Sequence, residues 1–265
     1  MPELDPPIME SLVAVARQAA QAGGAVLEGF AARQVTITRK GPIDLLTEAD
    51  TAAEHAIVEM IRAVYPDHQI LAEERTSEQT SESPYRWIID PLDGTTNFAH
   101  GFPIYNVSIG LEYEGTCVLG VVYDPTRKEQ FVAWRHGGAT LNDRPIRPSD
   151  IQQLDDALLV TGFAYDVRTS PDNNLEEFCR FTLRAQGVRR TGSAALDLCY
   201  VACGRFDGFW ERKLNPWDTA AGLVIVQEAG GLVTNWNGGP FSIYDKQILA
   251  SNGKIHQAMI EVLHM

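Results

Sequence analysis

Positive charge is short in this 265-residue chain: 22 lysines and arginines face 35 aspartates and glutamates, a formal net charge of −13. Non-specific nucleic-acid binding draws on basic surface, so that class of function is disfavoured. Cysteine is equally sparse. The four present, Cys117, Cys179, Cys199 and Cys203, show no C-x-x-C spacing, and each sits among apolar neighbours in the chain. That pattern predicts buried free thiols in a reducing cytoplasm, not a disulfide framework or a thiolate metal site. The six histidines are scattered without pairing at ligand spacing, which argues against zinc. No apolar run approaches the roughly 18 residues of a membrane span. The opening Met1-Pro2-Glu3-Leu4-Asp5 is acidic, which argues against a secretory or transit peptide. Internal repeats and low-complexity segments are lacking too. What is present, 45% hydrophobic and 22% charged residues, has the make-up of an ordinary soluble protein. The length suits one large domain or two intimately packed halves. The surplus of carboxylates fits a protein that gathers acids around divalent cations.

The most informative stretch is Trp87-Ile88-Ile89-Asp90-Pro91-Leu92-Asp93-Gly94-Thr95-Thr96-Asn97-Phe98. Trp87 to Ile89 reads as a buried strand, and Pro91 is expected to stop its ladder. Asp90 and Asp93 lie three apart around a Pro/Gly turn, a spacing that can fold both carboxylates toward one point. Thr95 follows Gly94, where the backbone can approach a ligand closely. A hairpin with aspartates as turn formers is the bland alternative. It leaves unexplained why a core strand delivers two anions to one loop, where without a cation they would repel or one would keep its proton.

Ahead of this stretch, a helix over about Met9 to Phe30 places Leu12, Ala16, Ala19, Ala20, Leu27 and Phe30 on one stripe. A second helix after Asp50 carries Ala53, Ile57, Met60, Ile61 and Val64 along one side. Thr47 to Asp50 has the capping-box form, which fixes Asp50 at a helix N-terminus. His68 to Leu71 reads as a strand closed by Ala72-Glu73-Glu74, whose adjacent glutamates must point to opposite faces. The polar Thr76 to Pro84 segment reads as an exposed loop, either a connector or a lid. Alternating apolar residues then predict antiparallel strands through Leu141, a turn at Asn142 to Pro145, and a seam near Pro148-Ser149-Asp150. Beyond it strands and helices alternate, which argues for layered α/β packing. There Asn215, Pro216 and Asp218 again form a capping pattern at a helix start.

The run W-I-I-D-P-L-D-G-T-T-N-F resembles the first signature of the inositol monophosphatase family, the metal-dependent, lithium-sensitive sugar phosphatases. Trp217-Asp218-Thr219-Ala220-Ala221-Gly222 with the downstream Glu228-Ala229-Gly230-Gly231 resembles its second signature, more than a hundred residues away. Asp44 to Asp50 is similar to the family's D-L-V-T-x-x-D element. Ala72-Glu73-Glu74 is similar to its G-E-E element, with Ala72 in place of glycine. Gly192-Ser193-Ala194-Ala195 is similar to its G-[ST]-A-A element. The resemblance spans Lys40 to Gly231 and implies a layered αβαβα sugar-phosphatase fold. Its α+β half would cover about residues 1–148 and its α/β half about 149–265.

The chemistry this implies is hydrolysis of a phosphate monoester by direct in-line attack of water. Glu73, Asp90, Asp93, Asp218 and the Leu92 carbonyl would hold two magnesium ions, with room for a looser third near Glu73. An all-oxygen donor set suits magnesium, with manganese able to substitute, over zinc. Asp50 and Thr95 would orient and deprotonate the water, with Glu73 beside them. Asp93, Gly94, Thr95, Ser193, Ala194, Glu211 and Asp218 would contact the substrate, and Lys40 would be a basic group near the metals. A small polyol ester, inositol 1-phosphate first, is the expected substrate. Histidinol phosphate, fructose 1,6-bisphosphate and an adenosine bisphosphate are alternatives with the same phosphate end, and a regulatory, partner-binding role is an alternative of another class. A cytoplasmic homodimer with no membrane or nucleic-acid partner completes the expectation.

Overall fold

A computed structural model describes residues 4–31, 37–39, 45–74 and 82–265. The segment around Lys40 and Asp44, and most of the Thr76–Pro84 loop, fall outside the described residues, so the lid reading and the Lys40 role stay there. In chain order the elements are α1 (Pro6–Ala31), β1 (Ile37–Arg39), β2 (Leu45–Thr47), α2 (Glu48–Val64), β3 (Gln69–Ala72), β4 (Tyr85–Asp93) and α3 (Thr95–Ala99). Then come β5 (Asn106–Tyr113), β6 (Thr116–Asp124), β7 (Glu129–Trp134), β8 (Gly138–Leu141), β9 (Arg144–Pro145) and β10 (Leu158–Thr161). The chain continues through α4 (Leu175–Thr182), β11 (Gly187–Arg189), α5 (Ala194–Ala202), β12 (Gly208–Arg212) and α6 (Pro216–Glu228). It closes with β13 (Leu232–Thr234), β14 (Gln247–Ser251) and α7 (His256–Leu263).

A seven-stranded sheet runs β3-β4-β5-β6-β7-β8-β9, parallel at β3–β4 and antiparallel elsewhere. A five-stranded sheet runs β11-β10-β12-β14-β13, with β11, β10 and β12 parallel and the last pairings antiparallel. Three apolar clusters glue five layers together. Leu12, Ala16 and Leu27 of α1 and Ile57 and Ile61 of α2 pack on Trp87, Ile89 and Val107 of the first sheet. Ile88 and Phe131 of that sheet's other face meet α5 and α6, which are backed by Val160, Phe209 and Ala250 of the second sheet. Phe181 of α4 and Met259 of α7 cover the far face at Leu159 and Trp210. The order is therefore αβαβα, a layered α+β fold. Strand alternation assigns the faces: Trp87 and Ile89 look toward α1 and α2, while Ile88 looks toward α6.

The α6 helix is apolar all round because both of its sides are buried. It lies almost against the backbone of the first sheet. A Cβ on Gly110 would fall 2.6 Å from the Ala220 Cβ, and one on Gly120 would strike the Ala221 backbone. Small residues on both partners thus bring the N-terminus of α6, with Asp218, up to the end of β4.

Three sequence expectations need correction here. Pro91 does not stop β4, which runs on to Asp93; it instead breaks the register between Asp90 and Asp93, where β4 pairs with β5. The extra length of the irregularity re-aims the acids, as bulges do. Of the cysteines, Cys199 is buried and all four are free, but Cys179 is exposed on α4 and Cys117 and Cys203 are half-buried. Val64, expected on the packing side of α2, is 52% exposed at its C-terminus. The Asn142–Asp143 turn has φ values of 47° and 63°, the left-handed pair of a tight hairpin. No helix among the described residues is long and apolar enough to cross a membrane.

Candidate active site

One pocket opens where the carboxyl ends of β10 and β12 face the end of β4 and the N-termini of α5 and α6, a place where mixed sheets commonly bind ligands. Glu73, Asp90, Leu92, Asp93, Gly94, Thr95, Ser193, Ala194, Glu211 and Asp218 all line it. These come from five separate chain segments. Among the described residues Asp50 is the exception to the expected set: it is 1% exposed and stands behind Thr95, whose hydroxyl donates to Asp50 Oδ1 at 3.1 Å.

Each acid is held by its own local structure. Glu73 follows β3, and its N–H donates to the Ile89 carbonyl at 3.2 Å, while the next residue's N–H is taken by Glu54 at 3.0 Å. The Asp90 carboxylate accepts from the Leu92 N–H at 3.0 Å, closing the turn around Pro91. Gly94 has φ 96°, and a Cβ there would meet the Ile104 carbonyl at 2.8 Å, so only glycine lets the chain pivot from β4 into α3. Asp218 uses one oxygen to accept from the Asn215 N–H at 2.6 Å, the expected N3-to-cap contact. Ser193 caps α5, accepting from the Leu196 N–H at 3.4 Å.

The electrostatics are those of crowded buried anions. Burial first, then the carboxylates of Glu73, Asp93 and Asp218, push the Asp90 pKa well above the ordinary carboxylate range. Burial also raises Asp93, against the pull of donors from Ser193, Asn106 and Ala195. Asp218 is driven well up by burial, with the Asn215 N–H opposing it and Asp93 and Glu73 adding to it. Among the described residues no three acids form a ready-made metal cage. The residues nevertheless fit divalent cations, because the donors are all oxygens, share one pocket wall and repel one another. Zinc-type ligands are absent from this wall among the described residues.

Glu211 is 6% exposed, so it is no solvent-facing strand tip. Burial, followed by repulsion from Asp218, raises its pKa to about 8. Gly162, just past β10, makes room for it, since a Cβ there would fall onto the Glu211 carboxylate. The two bases that follow Glu211 line the same pocket and fasten a neighbouring loop. Arg212 donates to Asp172 and to the Asn173 carbonyl, and Lys213 donates to Asp166 at 2.8 Å and to Ser170 at 2.9 Å. That loop carries Phe163 and the half-exposed Tyr165 along the pocket wall. Lys213 itself has φ 62°, an uncommon conformation for lysine next to a site.

Sequence reasoning missed several pocket residues, among them Gly162, Tyr165, Arg190 and Asp197. Asp197 did leave a signal: it is the single acid in the otherwise apolar α5. It is 1% exposed and accepts from the Thr191 hydroxyl at 2.5 Å, and burial raises its pKa well above the usual range. Glu228, carried along in the second signature, is not at the site. Its carboxylate accepts from the His136 and Gly138 N–H groups at 3.0 Å each and ties α6 to the β7–β8 turn.

Comparison with known proteins shows the family and the fold. The model of the inositol monophosphatase family matches residues 8–265. An inositol-1-monophosphatase of Synechocystis is 50% identical over 263 residues, covering 99% of this chain and 92% of its own length. The Nus factor SuhB of Pseudomonas aeruginosa is 41% identical over 261 residues, covering 96% of each chain. The solved structure of the inositol monophosphatase from Anabaena superposes with a TM-score of 0.88 at 47% identity, covering 97% of this chain and 96% of that one.

Proposed function

The chain belongs to the inositol monophosphatase family of metal-dependent phosphoric monoester hydrolases, and from that premise we propose that it hydrolyses inositol 1-phosphate to inositol and phosphate with magnesium as its cation. The observation that carries the reading is the union, in one pocket, of Glu73, Asp90, Leu92, Asp93 and Asp218 with a further buried acid, Glu211. The first group suits a cation-bound phosphate, and the second suits the hydroxyls of a polyol. Glu73, Asp90 and the Leu92 carbonyl would hold one ion. Asp90, Asp93 and Asp218 would hold a second, with room for a third near Glu73 and with manganese as a substitute.

When bound, such ions supply charge to neutralise the phosphate oxygens and the leaving oxygen, and make water a better nucleophile. The protein's own groups supply position and proton transfer. Thr95 Oγ lies 3.1 Å from both Asp50 Oδ1 and the Leu92 carbonyl oxygen. Its hydroxyl can accept a hydrogen from the attacking water while donating its own to Asp50, so Asp50 ends as the base without touching the pocket. Water's oxygen then bonds phosphorus as the ester oxygen departs and takes up a proton. The Gly94 and Thr95 backbone and the α5 start at Ser193 and Ala194 line the pocket where phosphate and sugar oxygens need donors. Glu211, whose pKa burial raises, can accept from a polyol hydroxyl and, when protonated, donate to one.

Four free cysteines suit the proposed cytoplasmic setting, and a homodimer is the expected assembly, to be read by light scattering. The 41% identity to a Nus factor favours a second reading, a partner-binding role added to catalysis, although the net charge of −13 speaks against direct nucleic-acid contact. The test is a panel of phosphate esters compared by kcat/KM at fixed magnesium. Inositol 1-phosphate should lead histidinol phosphate, fructose 1,6-bisphosphate and adenosine 3',5'-bisphosphate. An enzyme that ignores inositol 1-phosphate while turning over another member overturns the substrate and leaves the chemistry standing.

A further inference from the structure

Behind the pocket, outside its lining, lies Asn106, the first residue of β5 and fully buried. It sits opposite Asp93 in the β4–β5 pairing, just past the irregularity that re-aims the acids. Neither signature contains it, and it lies on the strand face opposite the Val107, Ile109 and Leu111 stripe.

Its amide joins three elements. Nδ2 donates to Asp93 Oδ2 at 3.0 Å and to Ser193 Oγ at 2.8 Å. Ser193 Oγ donates to the same Asp93 oxygen at 2.7 Å, and the Ala195 N–H donates to it at 2.8 Å. The Ser193 hydrogen is spent on Asp93, so toward Asn106 that hydroxyl can only accept. The amide orientation is thereby forced, because its carbonyl turned this way would face a carboxylate oxygen and a lone pair. Asn106 Oδ1 is buried and has no hydrogen-bond partner among the described residues. Leaving a buried acceptor unsatisfied is costly, which implies that the two donated bonds are what the residue is there to make.

We infer that Asn106 is a positioning residue that locks Asp93 Oδ2 against the α5 N-cap, so that Oδ1 is presented to the cation in a fixed direction. The inference rests on the reading of Asp93 as a cation ligand. An amide suits this position because it offers two hydrogens in a rigid fork without adding a positive charge that would repel the cation. The same amide couples the end of β4 to Ser193 at the start of α5, so Asp93 and the α5 N-terminus share one fixed point.

The experiment titrates magnesium and manganese into the full-length protein by calorimetry and follows the cation-induced rise in melting temperature. It compares the wild type with Asn106→Leu, Asn106→Asp and Asp93→Asn. Supporting contacts of this kind are worth about 10- to 100-fold in metal affinity. Both Asn106 variants should lose affinity by that amount, keep the wild-type circular dichroism, and recover turnover as cation concentration is raised. Wild-type affinity in both Asn106 variants, with affinity lost in Asp93→Asn, would overturn the positioning role alone. Unchanged affinity in Asp93→Asn would instead bring down the reading of Asp93 as a ligand. Loss of fold in both Asn106 variants would make the residue purely structural and also overturn the proposal.

Discussion

Glu211→Gln separates what a buried acid costs the fold from what it does for the substrate. In the folded chain its pKa is raised to about 8 from an ordinary 4.5, first by burial and then by Asp218. An acid with a raised folded pKa holds its proton more tightly folded than unfolded. Its contribution to stability is therefore full below about pH 4.5 and is lost as the pH rises through about 8. The gap, 8 minus 4.5 or 3.5 units, corresponds at roughly 1.36 kcal/mol per unit to at most about 5 kcal/mol. Glutamine has the same shape and stays neutral. Without cations, the variant should melt with the wild type near pH 5 and outlast it near pH 9. For a chain of this size about 1 kcal/mol moves Tm by roughly 2–4 °C, so the curves should part by on the order of 10 °C. Paired melts in excess chelator across that range read the effect, and curves that stay parallel would refute the assignment. In the loaded enzyme the same variant loses a charged partner for the polyol. That bond is worth about 1.5–3 kcal/mol, or roughly 10- to 150-fold in kcat/KM for inositol 1-phosphate, with a simple alkyl phosphate spared. Equal losses on both esters would mean that Glu211 supports the site generally and does not read the sugar.

Further outcomes are expected. Turnover should cease in excess chelator, return with magnesium, and be inhibited by calcium, which holds oxygen ligands at longer, irregular distances, and by lithium. Glu73→Gln and Asp218→Asn should abolish it while raising the cation-free Tm by relieving repulsion, and either variant keeping near wild-type kcat would break the ligand assignment. Thr95→Ala removes the hydroxyl between the pocket and Asp50, so kcat should fall by about 10²- to 10⁴-fold with calorimetric cation affinity unchanged; a matching loss of affinity would make Thr95 a structural prop. Glu228→Ala removes the acceptor of the His136 and Gly138 N–H groups and should lower stability by about 0.5–1.5 kcal/mol per bond without changing kcat/KM at 25 °C; a kinetic defect in a fully folded variant would contradict its assignment as a clamp.

Much of this site was legible because its acids sit in short local motifs. Asp90, Asp93 and Thr95 share one strand-to-helix turn, and Asp218 and Ser193 sit at helix starts whose caps the chain spells out. Turn chemistry and capping act over three or four residues, so spacing reports the turns and caps, while the expectation that these residues share one site came from the family resemblance. The apolar stripes of α1 and α2 and the alternation of β5 to β8 were similarly readable, being set by local periodicity, whereas the five-layer order was expected only through the family resemblance.

What the linear chain could not decide is which distant residues arrive together. Asp197 and Asn106 each look like a stray polar residue in an apolar element. Only the pairing of β5 with the end of β4, and the seating of α5 beside it, turn Asn106 into a junction of Asp93 and Ser193. Asp50 is fixed by its own helix start, yet its place behind Thr95 depends on how α2 packs against β4. Glu228 shows the converse: a motif residue that tertiary contacts assign to the fold. The physical reason is the range of the forces. Propensity, capping and turns are settled within one turn of chain. Burial, and the repulsion it magnifies among Asp90, Asp93 and Asp218, exists only once strands and helices from both sheets have closed around them.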